Sequence, residues 1–484
     1  MKGVVACGNR ETARAAVEIL SKGGNAFDAA VGAALAAAVA ECGLTGLAGG
    51  GYALAHQGLL ARTTIYDFFV NSPGLGGSGI PNSLDFHRVT LHFTSSSQDF
   101  FVGAASVAVP GTPLGLKVLK EDLGRLPWEE VVAPAVRLAR EGFVVDELQA
   151  ACFRILAPIF IRDPLAREMF YPEGGPPEPG VRLRNPLLAD FLEAYPQKVE
   201  SLYRGELARR LVEFLKARGG LLTLEDLAFY HVYRRRPLKY AFSRGHLFTG
   251  PPPSFGGSLV TLGLKVFEEA FEGGPLGSFG HLQALSRALK AQAEWRNILL
   301  EHPEKIYTLV GSTAGTTHLS VADNEGNLCG ITLTFGEGAG LVFPETGLML
   351  NNILGEEDLH PRGFFSYPPG RRIPSMMAPS LLFSRGRRYV FGSGGSKRIR
   401  SALLQVAVNL AFLGLSPAEA VSAPRLHYEE GLYHAEPGLG PFPEEISPIK
   451  LWSERNLFFG GVHLVADDLS ATGDPRRVGV VLYA

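Results

Sequence analysis

The sequence predicts an α/β fold in which helices pack on β-sheets, and three features lead to this prediction. Residues 12–24 have amphipathic helical spacing and end in two glycines. A second helix follows Asn25 and is apolar on nearly every side, so it must be covered on most sides, as in a helical layer that lies on a sheet. Residues 316–323 and 327–334 flank a three-residue loop that ends in glycine, which predicts a β-hairpin.

Composition limits the classes of partner. The 484 residues are 46% hydrophobic and 19% charged, which is enough apolar material for one large core or for two layers around a shared core. The formal net charge of −2 gives no single-signed field that would attract nucleic acid or an anionic membrane surface. We therefore expect a globular protein that binds neither of them.

No membrane segment or secretion signal is expected. Arg10, Glu11 and Arg14 precede any apolar run that is long enough for a signal peptide. The longest apolar stretch, residues 29–40, is mostly alanine and is shorter than the roughly 20 residues that span a bilayer. This stretch indicates a buried helix, and the default location is cytoplasmic.

Neither a metal nor a cofactor is expected. The cysteines are scattered without a CxxC pair, and no two histidines have metal-ligand spacing beside an acid. Gly49, Gly50 and Gly51 do not form a GxGxxG motif after a strand, so close backbone packing is favoured over a dinucleotide site.

PPPSFGG, residues 251–257, indicates a rigid corner before a helix, with a polyproline ligand site as the alternative. All four cysteines are expected in the core: Cys7, Cys42, Cys152 and Cys329.

Thr316 is the candidate nucleophile. The GxS matches GGSGI and GSTAG lie in loops without strand-turn-helix context, which disfavours a Ser-His-Asp hydrolase. A threonine freed at a chain terminus needs no separate base, because its own α-amine can take the proton from its hydroxyl. Gly315 would let the chain bend so that the Thr316 hydroxyl reaches the Gly315 carbonyl. By itself, TTHLS is also typical of an ordinary threonine-rich strand.

The hairpin predicts a neighbour for this threonine. Counting back from the loop at residues 324–326 sets Thr334 beside Thr316, to within one residue. A second hydroxyl is therefore expected next to the candidate nucleophile.

Eight blocks are spread over nearly the whole chain. They are, in order, GNRETARAAVEILSKGGNAFDAAVGAALAAAVAE, GLAGGGYAL, AVPGTPLGL, GGLLTLEDLAFY, PPPSFGG, TTHLSVADNEGN, LMLNN and GSGGSKRIRSALLQVAVN. In this order they resemble the blocks of gamma-glutamyltranspeptidases. Each block alone is weak, but their shared order is specific. TTHLSVADNEGN resembles the processing and nucleophile motif of this family of N-terminal-nucleophile hydrolases.

The resemblance implies a fold and a division of the chain. The fold would be a four-layer αββα sandwich. Residues 1–315 would form the large-subunit region and residues 316–484 the small-subunit region, intertwined in one structural domain. The implied autoproteolysis lies between Gly315 and Thr316.

The resemblance also implies roles for individual residues. Thr316 matches the nucleophile, and Thr334 matches a second threonine whose hydroxyl supports the terminal amine and the nucleophile. Gly394 and Gly395 in GSGGSK match the pair whose backbone N–H groups form the oxyanion hole. Side-chain-free backbone lets such donors approach a tetrahedral intermediate closely.

The sequence departs from the family where a γ-glutamyl α-carboxylate would bind. The matching segment, YDFFVNSPGLGG, contains no arginine. Of two adjacent serines that help to bind this carboxylate, IPSMMAPS keeps Ser375 and has Met376 in place of the other. A replacement arginine from elsewhere stays open, with these candidates: Arg371, Arg372 and Arg398.

The site for the α-amino group is half retained. Gly336 stands where the family has an asparagine, whereas Glu356 supplies a carboxylate after the two asparagines of LMLNN. The loop from residue 352 to residue 371 is short, which predicts that the lid of some relatives is absent.

These features predict an amidohydrolase that forms an acyl-Thr316 ester and passes the acyl group to water, with γ-glutamyl compounds as the nominal substrates. One alternative is an acylase for a different short acyl amide. Another is a non-catalytic relative that binds a metabolite. The expected partners are a small amide or peptide substrate and the two subunits of one precursor, and further oligomerisation stays open.

Overall fold

Two β-sheets lie face to face between two layers of helices. The structure is a computed structural model that describes residues 1–77, 79–80, 83–93, 96–301, 316–360 and 362–484. Within those ranges, the strands form sheets of seven and six strands and four small sheets of two or three. The four-layer αββα sandwich implied by the resemblance is confirmed.

The helices are α1 (Arg10–Ser21), α2 (Ala26–Ala40), α3 (Thr112–Leu123), α4 (Trp128–Glu141), α5 (Glu147–Phe160), α6 (Pro164–Phe170), α7 (Pro186–Glu193), α8 (Tyr195–Arg204), α9 (Glu206–Lys216), α10 (Leu224–Phe229), α11 (Gly256–Ala270), α12 (Phe279–Glu301), α13 (Ile399–Ala411) and α14 (Pro417–Ser422).

The strands are β1 (Gly3–Cys7), β2 (Gly50–Gln57), β3 (Arg62–Phe68), β4 (His87–Phe93), β5 (Ser96–Val102), β6 (Phe143–Val144), β7 (Arg182–Leu183), β8 (Tyr233–Arg235), β9 (Leu238–Phe242), β10 (Gly245–Thr249), β11 (Thr317–Asp323), β12 (Leu328–Thr334), β13 (Val342–Phe343), β14 (Leu348–Met349), β15 (Ser380–Ser384), β16 (Arg387–Gly394), β17 (Leu426–Glu429), β18 (Leu432–Ala435), β19 (Ile449–Leu451), β20 (Gly461–Ala466), β21 (Ala471–Thr472) and β22 (Val480–Tyr483).

The first sheet has the order β22-β1-β11-β12-β2-β3-β8, and all of its neighbouring strands are antiparallel. The second sheet has the order β21-β20-β16-β15-β10-β9 and is likewise antiparallel. Strand β11 contacts β16 and β20 of the second sheet. The centres of the two sheets therefore face each other at the strand that follows Thr316.

Helix α2 belongs to the layer on the outer face of the first sheet. Asn25 caps the helix, with its side chain accepting from the backbone N–H groups of Phe27 and Asp28. Every residue of α2 is buried, because the sheet covers one side and α1, α3 and α4 contact it elsewhere. The buried helix predicted from the apolar stretch is confirmed.

The second helical layer consists of α11, α12 and α13. Helices α11 and α13 pack on the second sheet, and α12 packs on both of them. Helix α11 follows the corner formed by Pro251–Ser254, as the sequence predicts.

The glycines before β2 serve close backbone packing. A Cβ on Gly49 would lie 2.0 Å from the Thr334 carbonyl oxygen, and one on Gly51 would lie 2.4 Å from that of Thr332. These contacts confirm the structural explanation of the glycine cluster, because any side chain would push the strands apart.

The cysteines lie in the interior, as predicted. Cys7, Cys42 and Cys329 are buried and Cys152 is half-buried, and all four are free thiols. Burial raises the pKa of the Cys42 and Cys152 thiols to about 12. These cysteines are therefore protonated at neutral pH and poorly nucleophilic.

Candidate active site

Thr316 lies immediately before β11 and across from Thr334, the last residue of β12. The register pairs Thr317 with Leu333, so one rung further sets Thr316 opposite Thr334. Gly326 has a φ of 79°, as the predicted loop requires. Both threonines are fully buried. The predicted hairpin and its register are confirmed.

Side chains alternate between the two faces of β11, and the face that continues from Thr316 is directed toward the second sheet. His318 and Ser320 share that side, since the Ser320 hydroxyl donates to the His463 carbonyl at 3.2 Å. The two ring nitrogens of His318 lie 2.8 Å from the hydroxyls of Thr332 and Ser320. Burial holds the pKa of His318 well below its usual range, so a neutral histidine lies next to the threonine pair.

The predicted oxyanion glycines adjoin Thr316. A Cβ on Gly394 would lie 2.2 Å from the Thr316 carbonyl oxygen, so only glycine fits there. Gly395 has a φ of 118°, a conformation that side chains other than glycine rarely adopt. The two glycines end β16 and begin the 3-10 turn Ser396–Arg398. The glycine backbone therefore packs directly against Thr316, and its role as an oxyanion hole stays a prediction.

Glu356 lies close to the backbone that follows Thr334. The Thr334 hydroxyl accepts the Gly336 N–H at 3.1 Å. A Cβ on Gly336 would lie 2.7 Å from Glu356 Oε1 and 2.1 Å from Asn352 Oδ1. The buried carboxylate therefore packs against the backbone two residues after Thr334, so the structure brings Glu356 and the threonine pair together.

Ser375 is held by bonds of its own segment. Its hydroxyl accepts from the Met377 N–H at 3.1 Å, and its carbonyl accepts from the Phe255 N–H at 2.7 Å. Ser375 and its neighbour Met376 are fully buried. These contacts fix the segment beside the 251–257 corner, and the role of Ser375 in substrate binding stays a prediction.

Arg372 does not replace the missing carboxylate-binding arginine. Its Nη1 donates to the Phe69 carbonyl and, at 2.7 Å, to the Tyr230 hydroxyl, and its Nη2 donates to the His231 carbonyl at 2.8 Å. Nε lies 3.3 Å from Asp67 Oδ1. The buried guanidinium is thus occupied by groups of the protein and is not available to a substrate carboxylate.

The other two candidate arginines differ in their surroundings. Arg371 is exposed. Arg398 is half-buried and ends the 3-10 turn that follows Gly395, where its Nε donates to the Phe458 carbonyl at 3.1 Å. Its guanidinium also lies 4.9 Å from the centre of the Phe458 ring. Arg398 is therefore the arginine of the three that lies beside the candidate site.

Two charged residues that sequence reasoning missed hold Thr316 and Thr317, where β11 begins. Glu41, at the end of α2, accepts from the Thr317 hydroxyl at 2.6 Å and from the Thr12 hydroxyl at 2.7 Å. Arg477 Nη1 donates to the Thr316 carbonyl at 2.7 Å. Burial raises the pKa of Glu41, and the two hydroxyl bonds lower it. In the sequence, Glu41 is only an acid after an apolar helix, and Arg477 is only one of two adjacent arginines in GDPRR. Neither pattern indicates which residue the side chain contacts.

An ion pair joins the loop that carries Glu356 to the 3-10 turn Ser396–Arg398. Lys397 Nζ lies 3.5 Å from Asp358 Oδ1 and 2.7 Å from Glu429 Oε1. Burial lowers the pKa of Lys397, but the two carboxylates raise it by more, so the pKa lies above its usual value. The segments on either side of the threonine pair are therefore linked electrostatically.

The remaining predictions concern the cleavage bond, a metal site and a membrane segment. Gly315, and with it the predicted cleavage bond, is outside the described residues. In the described part of the chain, no group of three or more His, Cys, Asp or Glu side chains is arranged to hold a metal ion. No helix within the same ranges has the length and apolar character needed to cross a membrane.

The chain is similar to known proteins over most of its length. A family model described as gamma-glutamyltranspeptidase matches residues 12–310 and 300–484. The acylase ACY 1 proenzyme of Pseudomonas sp. (strain SE83) is 33% identical over an alignment of 484 positions, which covers 92% of this chain and 85% of that protein. The glutathione hydrolase proenzyme of Escherichia coli (strain K12) is 29% identical over an alignment of 485 positions, which covers 88% of this chain and 81% of that protein.

Solved structures agree on the fold. Cephalosporin acylase from Bacillus halodurans superimposes with a TM-score of 0.77 at 24% identity, covering 99% of this chain and 95% of that one. This likeness shows a shared arrangement of layers.

Proposed function

The chain belongs to the gamma-glutamyltranspeptidase family and is an amidohydrolase of that type, and from this premise we propose that Thr316 is its nucleophile. The observation that carries the proposal is the position of Thr316, which lies across from Thr334 and directly against the Gly394 backbone. A nucleophile, a supporting hydroxyl and a glycine turn are thus adjacent, as acyl transfer requires.

The first reaction is self-cleavage of the precursor. The Thr316 hydroxyl attacks the Gly315 carbonyl, the peptide C–N bond breaks, and the acyl group moves from nitrogen to oxygen. Water then hydrolyses this ester, which leaves a carboxylate on Gly315 and a free α-amine on Thr316. The relatives named above are called proenzymes, which supports a precursor that becomes two subunits.

The second reaction is amide hydrolysis. The α-amine of Thr316 takes the hydroxyl proton as the oxygen attacks the substrate carbonyl. Backbone N–H groups of Gly394 and Gly395 stabilise the oxyanion, and one such donor typically contributes about 2.7–4 kcal/mol. The leaving amine departs with the proton, and water hydrolyses the acyl-Thr316 ester to release the acid. No cofactor enters these steps, and a cytoplasmic location stays part of the proposal.

Replacing the hydroxyl of Thr316 tests the nucleophile. We expect Thr316→Ala to remain one full-length chain without amidase activity, because the same oxygen cuts the precursor and attacks the substrate. Thr316→Ser keeps a hydroxyl and should still be cut. The measurements are a denaturing gel, N-terminal sequencing of the small fragment and hydrolysis of an acyl anilide. Normal two-fragment maturation of Thr316→Ala would contradict the assignment, and cleavage of the wild type excludes an inert paralogue.

We also propose that the enzyme prefers acyl groups without an α-carboxylate. The segment that carries the family's arginine has none, and Arg372 is occupied by Asp67 and backbone carbonyls. One charge-assisted hydrogen bond contributes about 1.5–3 kcal/mol, so its loss weakens glutamyl binding about tenfold to over a hundredfold. Glu356 keeps a carboxylate for an ammonium group. The similarity to proteins named acylases supports the same preference.

Two anilides that differ only in the carboxylate test this preference. The γ-glutamyl anilide carries it, and the 4-aminobutyryl anilide lacks it while keeping the amine. We expect kcat/KM to favour the 4-aminobutyryl compound, since this ratio reports differential transition-state binding. A ratio well above about ten in favour of the γ-glutamyl compound would show that a carboxylate site exists, and Arg398 would be the first residue to examine.

A further inference from the structure

Arg477 reaches the backbone of the candidate nucleophile through a gap between glycines. Gly394 of β16 pairs with Gly461 of β20. A Cβ on Gly461 would lie 2.4 Å from Arg477 Cδ, and one on Gly394 would lie 2.6 Å from Arg477 Nη1. Two neighbouring strands thus lack side chains where the guanidinium passes. Any other residue at either position would block the path to the Thr316 carbonyl.

The base of this side chain is firmly held. Arg477 ends the 3-10 turn Pro475–Arg477, which Asp474 caps by accepting from the Arg476 N–H at 2.9 Å. The Asp474 carboxylate also accepts from Arg425 Nη2 at 2.6 Å and from the Val462 N–H at 2.8 Å. Asp474 is fully buried. The arginine therefore extends from an anchored turn that is tied to β20.

The segment after the predicted cleavage bond is held from two sides. Arg477 bonds the Thr316 carbonyl, and Glu41 bonds the Thr317 hydroxyl. Both contacts lie on the C-terminal side of the bond that would be cut. Hydrolysis of that bond changes neither of the bonded groups, so both contacts can persist from the precursor to the cut enzyme.

We propose that Arg477 is a positioning residue that holds the Thr316 backbone against the Gly394 turn, both before and after self-cleavage. The inference rests on the proposed function of Thr316 and concerns how its hydroxyl is aimed. Arg477 acts through the Thr316 carbonyl, whereas the hydroxyl does the chemistry. A misplacement of about 1 Å at a reacting group can reduce a rate about a hundredfold.

Arg477→Met and Arg477→Lys separate this role from a merely structural one. Methionine keeps the apolar stem and removes the donor, whereas lysine keeps a cationic donor. The readouts are the rate of precursor cleavage and the kcat and KM per free Thr316 terminus, with the faster of the two anilides. For the methionine variant we expect slower cleavage and a kcat about 10- to 100-fold lower, with KM within about threefold. Lysine should recover part of both rates.

Arg235→Met is the matched control. Arg235 Nε bonds Asp67 Oδ2 at 2.7 Å, but it lies on β8, four strands from β11 in the first sheet. At about 4.8 Å per strand it is roughly 19 Å away. Its loss should lower thermal stability without lowering kcat at a temperature where the protein is folded.

A second variant covers the case in which Arg477→Met does not fold. Gly461→Ala displaces the Arg477 stem while the charge remains, and it should also lower kcat with little change in KM. Wild-type cleavage and kcat in whichever of these variants folds would overturn the positioning role. Thr316→Ala, assayed in parallel, separates the two proposals. Retained activity in that variant would contradict the assignment of Thr316 as nucleophile, whereas the Arg477 variants test only how Thr316 is positioned.

Discussion

At the scale of single residues, Gly336 links the family's departures to the geometry of the site. Gly336 has a φ of 73°, and a Cβ added to it would lie 2.1 Å from Asn352 Oδ1, so an asparagine at this position would have to displace the Asn352 side chain. The space is taken instead by Asn352 and the Glu356 carboxylate. The Gly336 N–H donates to the Thr334 hydroxyl at 3.1 Å, which ties this part of the loop to the threonine pair.

Thr334→Ala should slow both reactions without preventing folding. The change removes the hydroxyl that is proposed to support Thr316 across the hairpin but leaves the proposed nucleophile intact. One neutral hydrogen bond contributes about 0.5–1.5 kcal/mol, so we expect rates about 2- to 10-fold lower. Time courses of precursor cleavage and single-turnover acylation measure the effect, and Thr334→Ser, which keeps the hydroxyl, is the control. Wild-type values for both rates in the alanine variant would leave Thr334 without a mechanistic role.

At the scale of elements, local patterns predicted much of the site. The 316–334 hairpin could be read from its loop and alternation, because pairing across a three-residue loop fixes which residues face each other. Helix α2 could be read from its apolar surface and its Asn25 cap. Both predictions concern residues that are close in the sequence.

Contacts between distant elements were not predictable in the same way. Arg477 meets Thr316 across 161 positions of the chain, and periodicity within a strand does not indicate which strand of another sheet will face it. Gly392 and Gly394 lie within β16, where a Cβ on Gly392 would be 2.4 Å from His318 Cε1. These glycines are explained by the opposite sheet, which the segment itself does not reveal.

At the scale of the whole molecule, polar groups buried between and around the sheets are kept either paired or neutral. Asp474 lies between Arg425 and Arg476, and Glu436 pairs with Arg476. Five buried histidines take the other course, because burial lowers their pKa and they remain uncharged at neutral pH. Burying a charge without a partner costs far more than burying a neutral imidazole. The interior thus accommodates many polar side chains, at the cost of sensitivity to acid.

The free energy of unfolding should fall as pH decreases from about 6.5 toward 4. Above that window each buried histidine is neutral in both states, so its contribution is complete. Within the window the unfolded chain binds protons that the folded chain excludes, at about 1.4 kcal/mol per pH unit for each fully shifted group. Glu41 and Asp226, whose pKa values burial raises, act in the opposite direction, but they are two groups against five. Burial lowers the pKa to about 4 in His281, His360 and His463, to about 3 in His427, and well below the usual range in His318.

Urea unfolding of Thr316→Ala at pH 7.5, 6.5, 5.5 and 4.5 measures this dependence on a chain that we expect to stay whole, so that subunit dissociation does not contribute. His281→Gln in the same background provides the comparison. His281 is buried, its Nδ1 accepts from the Gly277 N–H at 3.2 Å, and it lies apart from the threonine pair on α12. Because glutamine does not titrate, this variant should lose stability less steeply with acid, by up to one proton's share of the slope. A free energy of unfolding that stays level or rises between pH 7.5 and 5.5 would contradict the neutral state assigned to these histidines.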